Sequence, residues 1–268
     1  MRWIDHGWDN DVLVVNEEWV FRRPLNARAQ KRLLSEPPPL RVAKRRVSLC
    51  LPDLVLHHTP FLFSEHRMVP GETMDGERYR RLPAAAQAQL ADDLAGAYAQ
   101  MHAVPIDEAL GAGCRMLPRW PAPQVVERSV LARLHEAKNV TTDGDVKRIV
   151  ADYAAAEIGI DRLVFGQFDA HGWNMAFDNC QQRLTGLFDF AGAGVGPLHV
   201  DLCYPAFVDD ALLVATVARY NAKTGRCADV HRARAAFGML RCLELLDAQP
   251  PLQPYIDALL RVASVARD

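Results

Sequence analysis

Strand-forming runs crowd into the first quarter of this 268-residue chain, and that asymmetry restricts what it can become. Val12–Val15 and Trp19–Arg22, parted by the turn-prone Asn16-Glu17-Glu18, read as a hairpin, and residues 47–56 (VSLCLPDLVL) and 61–69 (FLFSEHRMV) read as two further strands. Between them, residues 24–46 are rich in Ala, Arg and Leu but are interrupted by Pro37-Pro38-Pro39. Three prolines are excluded from a helix interior and tolerated in a first turn. One helix is therefore expected to end near Leu34 and another to begin near Pro37, with Ser35 as candidate N-cap. Pro70-Gly71 then breaks the chain, and helical patterning takes over. In residues 83–102, Leu90, Leu94, Ala97 and Met101 share one helical face. Helices are expected near 124–137, over 143–158 with Thr142 or Asp143 as cap, and from about 200 to the end, with breaks at Thr224-Gly225 and Gln249-Pro250-Pro251. The exceptions are a strand at Arg162–Phe165 and a hairpin, Met175–Phe177 with Leu184–Phe190, closed by Asp178–Gln182. The reading is an α+β chain in two lobes: a mainly antiparallel sheet over residues 1–69 and a mainly helical lobe over 70–268.

Charge excludes several classes of partner. The net charge is −2 and the pI near 6.5, so no global basic field calls for nucleic acid or a membrane surface. The basic run Arg41–Arg46 reads as a solvated helix face. The six cysteines form no C-x-x-C pair and read mostly as small buried hydrophobes, which argues against zinc. MRWIDHGWDND has no apolar leader-like core and no apolar run approaches membrane-spanning length, so the expected compartment is the cytoplasm.

Chemistry concentrates in GQFDAHGWNMAFD, residues 166–178, and its continuation GLFDFAGAGVGP, residues 186–197. Asp169 falls in a loop, Asn174 at the entrance of the hairpin's first strand and Asp189 at the end of its second. A hairpin brings its two ends together, so Asn174 and Asp189 should lie side by side with Asp169 close to both. Phosphoryl transfer uses such a set: one carboxylate orients the attacking hydroxyl, while a second carboxylate and an amide oxygen hold Mg²⁺ on nucleotide phosphates.

This arrangement resembles the aminoglycoside phosphotransferase family of small-molecule kinases, which share a bilobal protein-kinase-like fold with choline and homoserine kinases. Gln167–Asn174 occupies the place of the family's H-G-D-x-x-x-x-N loop, Phe188-Asp189-Phe190 that of its later I-D-W segment, and Gly196–Leu202 that of G-D-P-x-x-D-L. Upstream, GWDNDVLVVNEEWVFRRP resembles the first hairpin over the phosphates, HRMVPGETM the hinge that holds adenine, and LAGAYAQMHAVP the helix ending in L-H-x-x-P. The resemblance implies ATP or GTP as co-substrate, Asp169 as catalytic base, and Mg²⁺ on Asn174 and Asp189. It implies a nucleotide site from Asp9 and Asn10 in the hairpin, Arg22 at the position of the β3 lysine, and backbone groups of Arg67 and Val69. Glu36 is the nearest acid for the ion pair that the lysine position makes, and Pro37–Pro39 beside it leave that pairing open. The chain departs from the family pattern at Gln167, where the motif has histidine, and between Gly196 and Pro197, where it has an acid.

Plainer readings stand beside these. Asp201 reads as a cap or a brace for the catalytic loop, His171 as a hydrogen-bonded loop residue as readily as a substrate contact, and Trp173 as packing. The glycines of residues 192–196 fail G-x-G-x-x-G because Pro197 fills the last place and no helix is expected directly after them; they read as a flexible loop. His57-His58 reads as a turn or surface pair, since neighbours on a strand face opposite ways. The expected partners are a nucleoside triphosphate and a small hydroxyl-bearing acceptor. Asp209, Asp210, Glu244 and Asp247 are the acids available to a cationic acceptor, and choline, an amino acid, a sugar and a nucleoside stay open, as does oligomeric state. The competing classes are a pseudokinase without turnover and a kinase of protein side chains.

Overall fold

The computed structural model describes residues 1–4, 9–139, 142–156, 158 and 162–265. His6, Gly7 and Trp8 of the polar N-terminal stretch lie outside the described residues. The chain opens with β1 (Arg2–Ile4), β2 (Asn10–Val15) and β3 (Trp19–Pro24), then α1 (Ala27–Ser35), α2 (Pro37–Lys44), β4 (Val55–His57) and β5 (Phe63–Arg67). The strands form one antiparallel sheet ordered β1-β2-β3-β5-β4, with Val15 opposite Trp19 at the hairpin and Trp19 opposite Arg67 across its middle.

Two local expectations are corrected here. Ser35 is not an N-cap: it is the last residue of α1 and its hydroxyl turns back to Arg32 O, while Glu36 joins the two helices and three prolines open α2. The strand expected at 47–56 is reduced to β4. Pro52 cannot donate to a ladder, and the segment before it pairs elsewhere, through Cys50 N–H to Thr185 O and Leu187 N–H to Cys50 O.

After the sheet the chain forms α3 (Gly76–Arg81), α4 (Ala84–His102), α5 (Ile106–Gly111), α6 (Pro123–Glu136) and α7 (Asp143–Ala155). The strand β6 (Leu163–Gly166) and the hairpin β7 (Met175–Asp178) and β8 (Arg183–Leu187) follow. Then come β9 (Gly194–Pro197), α8 (Leu198–Asp201), α9 (Asp210–Thr224), α10 (Val230–Asp247) and α11 (Gln253–Val265). Leu90, Leu94, Ala97 and Met101 are all buried, and α4 packs along α9 around Tyr98, Leu212 and Tyr220. This core continues under the loop strands through Phe165, Phe177 and Phe190, and a second core joins α6, α7, α10 and α11 around Val130, Ile149 and Leu259. The glycines of 192–196 are not a flexible loop. Residues 194–197 pair with β6, and α8 opens directly after Pro197.

Half of the cysteines depart from the buried reading: Cys114, Cys203 and Cys242 are buried, whereas Cys50, Cys180 and Cys227 are exposed, and all six are free. Among the described residues no helix is long and apolar enough to cross a membrane.

Candidate active site

The loop from Gly166 to Asn174 is fixed by groups on three distant elements. Asp201 of α8 accepts from Phe168 N–H and lies 2.8 Å from His102 Nε2 at the end of α4, with both side chains fully buried. His102 Nδ1 in turn lies 2.9 Å from the Tyr220 hydroxyl of α9. Of the two readings the sequence left for Asp201, cap or brace, the structure has the brace: it ties residues 166–174 to α8. Gln167 donates from Nε2 to Phe188 O at 2.8 Å, tying the loop to the segment that carries Asp189. The amide thus takes a bonding role where the family motif has histidine. Phe168 and Asp189 both adopt left-handed backbone, at φ 54° and 59°. Non-glycine residues there cost energy, and such outliers cluster at functional sites.

The hairpin brings the expected three residues together. Asn174 Nδ2 donates to Asp169 O at 2.9 Å, and Phe188 N–H donates to Asn174 O at 3.0 Å, which sets Asp189 one residue beyond that pairing. Asp189 Oδ1 accepts from Ala191 N–H. These bonds do not use Asn174 Oδ1 or Asp189 Oδ2, two hard oxygens of the type magnesium takes. Burial, and then the negative charge of Asp189, push the Asp169 carboxyl up to about 8, against the pull of Arg32. Two buried carboxyls held near one another raise the cost of ionising both.

Arg22 and Glu36 do pair. Arg22 donates from NH2 to Glu36 Oε2 at 2.6 Å and from Nε to Ser64 Oγ at 3.2 Å, with the Glu36 side chain fully buried. The break between α1 and α2 places Glu36 in the interior, where its Oε1 accepts from Phe190 N–H at 3.0 Å. Burial pushes the Glu36 carboxyl up, Arg22 pulls it back, and Asp189 adds to the push. One glutamate thereby joins the sheet to the segment following Asp189.

Other candidates occupy defined places. The Asp9 carboxylate meets Arg32 of α1, with Oδ2 2.8 Å from Nε, and the Asn10 side-chain oxygen is buried without a hydrogen bond. Arg67 O accepts from the His66 ring at 2.8 Å, its guanidinium lies over Trp19, and the Val69 side chain is buried. His57 stacks on Phe63 and lies 3.3 Å from Glu65; among the described residues no cluster of three metal-ligating side chains occurs.

A cavity of ≈ 1220 Å³ adjoins the loop, walled by Trp173, Phe207, Phe237, Arg241, Asp209 and Asp210. Trp173 is 63 % exposed, so the packing role expected for it does not hold. His171 connects the cavity to the loop: its ring lies 5.5 Å from Phe207 and its Nε2 3.4 Å from Asp169 Oδ1. Asp209 caps α9 and pairs with Arg80, and Asp210 grips Arg234 through both oxygens. Asp247 pairs with Arg28 away from the cavity wall, whereas Glu244 sits against Arg241 and its charge reaches Asp169. Sequence reasoning missed Arg32. No spacing in the sequence signalled it, since its two partners, Asp9 and Asp169, lie 23 and 137 residues away.

A five-stranded antiparallel sheet ahead of a mainly helical body, with this loop and hairpin beneath it, defines a protein-kinase-like fold. The model of the phosphotransferase enzyme family matches residues 1–237, and the chain belongs to that family of kinase-type enzymes. The structure is similar to the GDP complex of aminoglycoside 2'-phosphotransferase-IIIa, with TM-score 0.84, 18 % identity, and 99 % of this chain and 92 % of that one covered. It is similar to macrolide 2'-phosphotransferase type I, with TM-score 0.69, 21 % identity and coverage of 98 % and 89 %. It also resembles the streptomycin–ATP ternary complex of APH(2")-IIa, with TM-score 0.67, 18 % identity and coverage of 97 % and 90 %. No match emerges among curated proteins.

Proposed function

We propose that the protein transfers the γ-phosphoryl group of ATP or GTP to a hydroxyl of a small molecule held in the cavity beside Trp173 and Phe207. The observation that carries this reading is the convergence of Asp169, Asn174 and Asp189 at one hairpin mouth, joined through Phe190 and Glu36 to Arg22. In this reading residues 1–69 cover the nucleotide and residues 70–268 supply the loop and the acceptor wall. The adenine or guanine edge meets the backbone of Arg67 and Val69, and Asp9 and Asn10 lie at the phosphate end.

Arg22, held from both sides by Ser64 and Glu36, presents a fixed positive charge to the phosphates. Asp169 accepts the acceptor's proton as its oxygen attacks, and Asn174 and Asp189 would hold magnesium, which neutralises phosphate charge when bound. Positioning and electrostatics carry the rate, because little covalent work falls to the protein in such transfers. Two observations support turnover over the pseudokinase alternative: Gln167 makes a hydrogen bond to the segment of Asp189, and Arg22 pairs with Glu36. Aminoglycosides and macrolides, the acceptors of the similar structures, head the candidates for the cavity.

The test is transfer from γ-labelled ATP and GTP, with Mg²⁺, to kanamycin, erythromycin and a deproteinised metabolite extract, with Asp169→Asn in parallel. A labelled small molecule made by the wild type alone is the expected result. Label on protein only, or equal label from the variant, overturns the proposal.

A further inference from the structure

Two arginines reach the catalytic loop from elements that carry no part of the motif. Arg32, on α1, places NH2 3.8 Å from Asp169 Oδ2 and Nε 2.8 Å from Asp9 Oδ2. The Nε is buried beside the Asp9 carboxylate and makes no hydrogen bond, so this guanidinium keeps a donor in hand. Arg115, beyond α5, donates from NH2 to Ala191 O at 2.8 Å, two residues after Asp189. Burial, then the like charge of Arg32, holds the Arg115 guanidinium below its usual range. Two guanidiniums from outside the motif thus stand beside the loop of Asp169 and the segment that follows Asp189. Arg22, by contrast, is held by Ser64 and Glu36. The segment from Asp189 to Leu198 contains no basic residue.

We infer that Arg32 meets the transferring phosphoryl group, with Asp9 as the positioning carboxylate that aims it and Arg115 as the second cation behind it. The inference rests on the phosphotransfer reading of Asp169. In the step, an acceptor oxygen forms a bond to the γ-phosphorus and gives its proton to Asp169. The bond from that phosphorus to the β–γ bridging oxygen breaks, and the nucleoside diphosphate leaves with the electron pair. Arg32 neither gains nor loses a proton. Its planar fork matches two equatorial oxygens of the phosphoryl group, whose charge must be met as the bonds exchange. An arginine so placed acts mainly on the transition state, as arginines supplied in cis do in other phosphoryl-transfer sites.

Arg32→Ala, Arg32→Lys and Asp9→Asn test this, with Arg28→Ala on the same helix as a control expected to leave activity unchanged. Steady-state transfer and binding of ADP or GDP, alone and with aluminium fluoride as a mimic of the transferring group, are measured on each. Arg32→Ala should lower kcat about 100-fold or more while nucleotide KM shifts less than about fivefold. It should bind the bare diphosphate normally and lose the tightening that fluoride gives the wild type. Arg32→Lys, which keeps charge without the fork, should fall between, and Asp9→Asn should lower kcat less than Arg32→Ala does. An Arg32→Ala protein that retains wild-type kcat, raises KM alone, or tightens normally with fluoride overturns the inference. The fluoride measurement reads Arg32 without any acceptor, so a wild type that tightens with fluoride yet labels no acceptor breaks the assignment of a small-molecule substrate and not the role of Arg32.

Discussion

The carboxyl of Asp169 is costly to ionise in the protein without metal, and the direction of that cost can be measured. Its folded value, about 8, lies above the ordinary carboxylate range. The stability it contributes is therefore present at acid pH and lost as pH rises toward 8. Asp169→Asn removes the ionisation, so it should abolish turnover and yet raise the Tm of the protein above pH 8, while leaving it nearly unchanged below pH 4. Added Mg²⁺ and nucleotide should narrow the gap, since they favour the wild-type carboxylate. His66 runs the other way. Burial, then the charge of Arg22, lowers it to about 4, so its stability is intact above pH 6.5 and is lost as pH falls through 4. His66→Gln, which keeps a donor toward Arg67 O, should flatten the acid limb of a urea stability profile by roughly 3 kcal/mol at pH 4. An unchanged limb would show that the ring does not resist protonation in the fold. At this scale the sequence was most legible where a motif orders residues closely: Asp169, Asn174 and Asp189 flank the mouth of one hairpin. Arg32 and Asp9 were illegible as a pair, because their contact depends on how α1 leaves the sheet.

Elements hold these residues in place through close approaches that leave no room for a side chain. The turn at Gly172–Asn174 presses against the segment after Pro70: Met74 N–H donates to Gly172 O at 2.9 Å, and a Cβ on Gly172 would stand 1.7 Å from Met74 O. The obstacle is backbone, so it cannot swing aside. Gly172→Ala should cost about 1–3 kcal/mol in stability and shift Asn174 enough to weaken Mg²⁺-dependent nucleotide binding in a titration. A variant with wild-type melting and binding would show that the turn moves freely. The breaks between helices were legible for the same local reasons. Gly225 takes φ 67° at the end of α9, as a left-handed cap does, and the prolines of residues 37–39 open α2. Elements that rely on distant partners were not. Residues 47–54 look like a strand by composition, but Cys50 finds its partner in β8, and Gly194–Pro197 is a strand only because β6 lies opposite.

The whole molecule links its sheet to its helical body through charge as well as packing. Glu36 accepts from Arg22 of β3 with one oxygen and from Phe190 with the other, while Asp9 and Asp169 both approach Arg32 of α1. The bilobal plan was legible from the one-sided distribution of strand-forming runs, but these cross-links were not, since each joins residues far apart in the chain. On the proposed reading, a nucleotide–magnesium complex would engage Arg22, Arg32, Asn174 and Asp189 in the folded state alone, so it should stabilise by mass action. At a concentration 100 times Kd the gain is about 2.7 kcal/mol, which for a chain of this size raises Tm by roughly 5–10 °C. Asp189→Ala should retain the fold and lose most of the Mg²⁺-dependent part of that rise, because it removes one of the two oxygens proposed to hold the ion. Glu36→Gln should lower the starting Tm instead, since it leaves the buried Arg22 without its counter-charge. If both variants shift with Mg²⁺ and nucleotide as the wild type does, the cleft is not where nucleotide binds, and the charge links serve the fold alone.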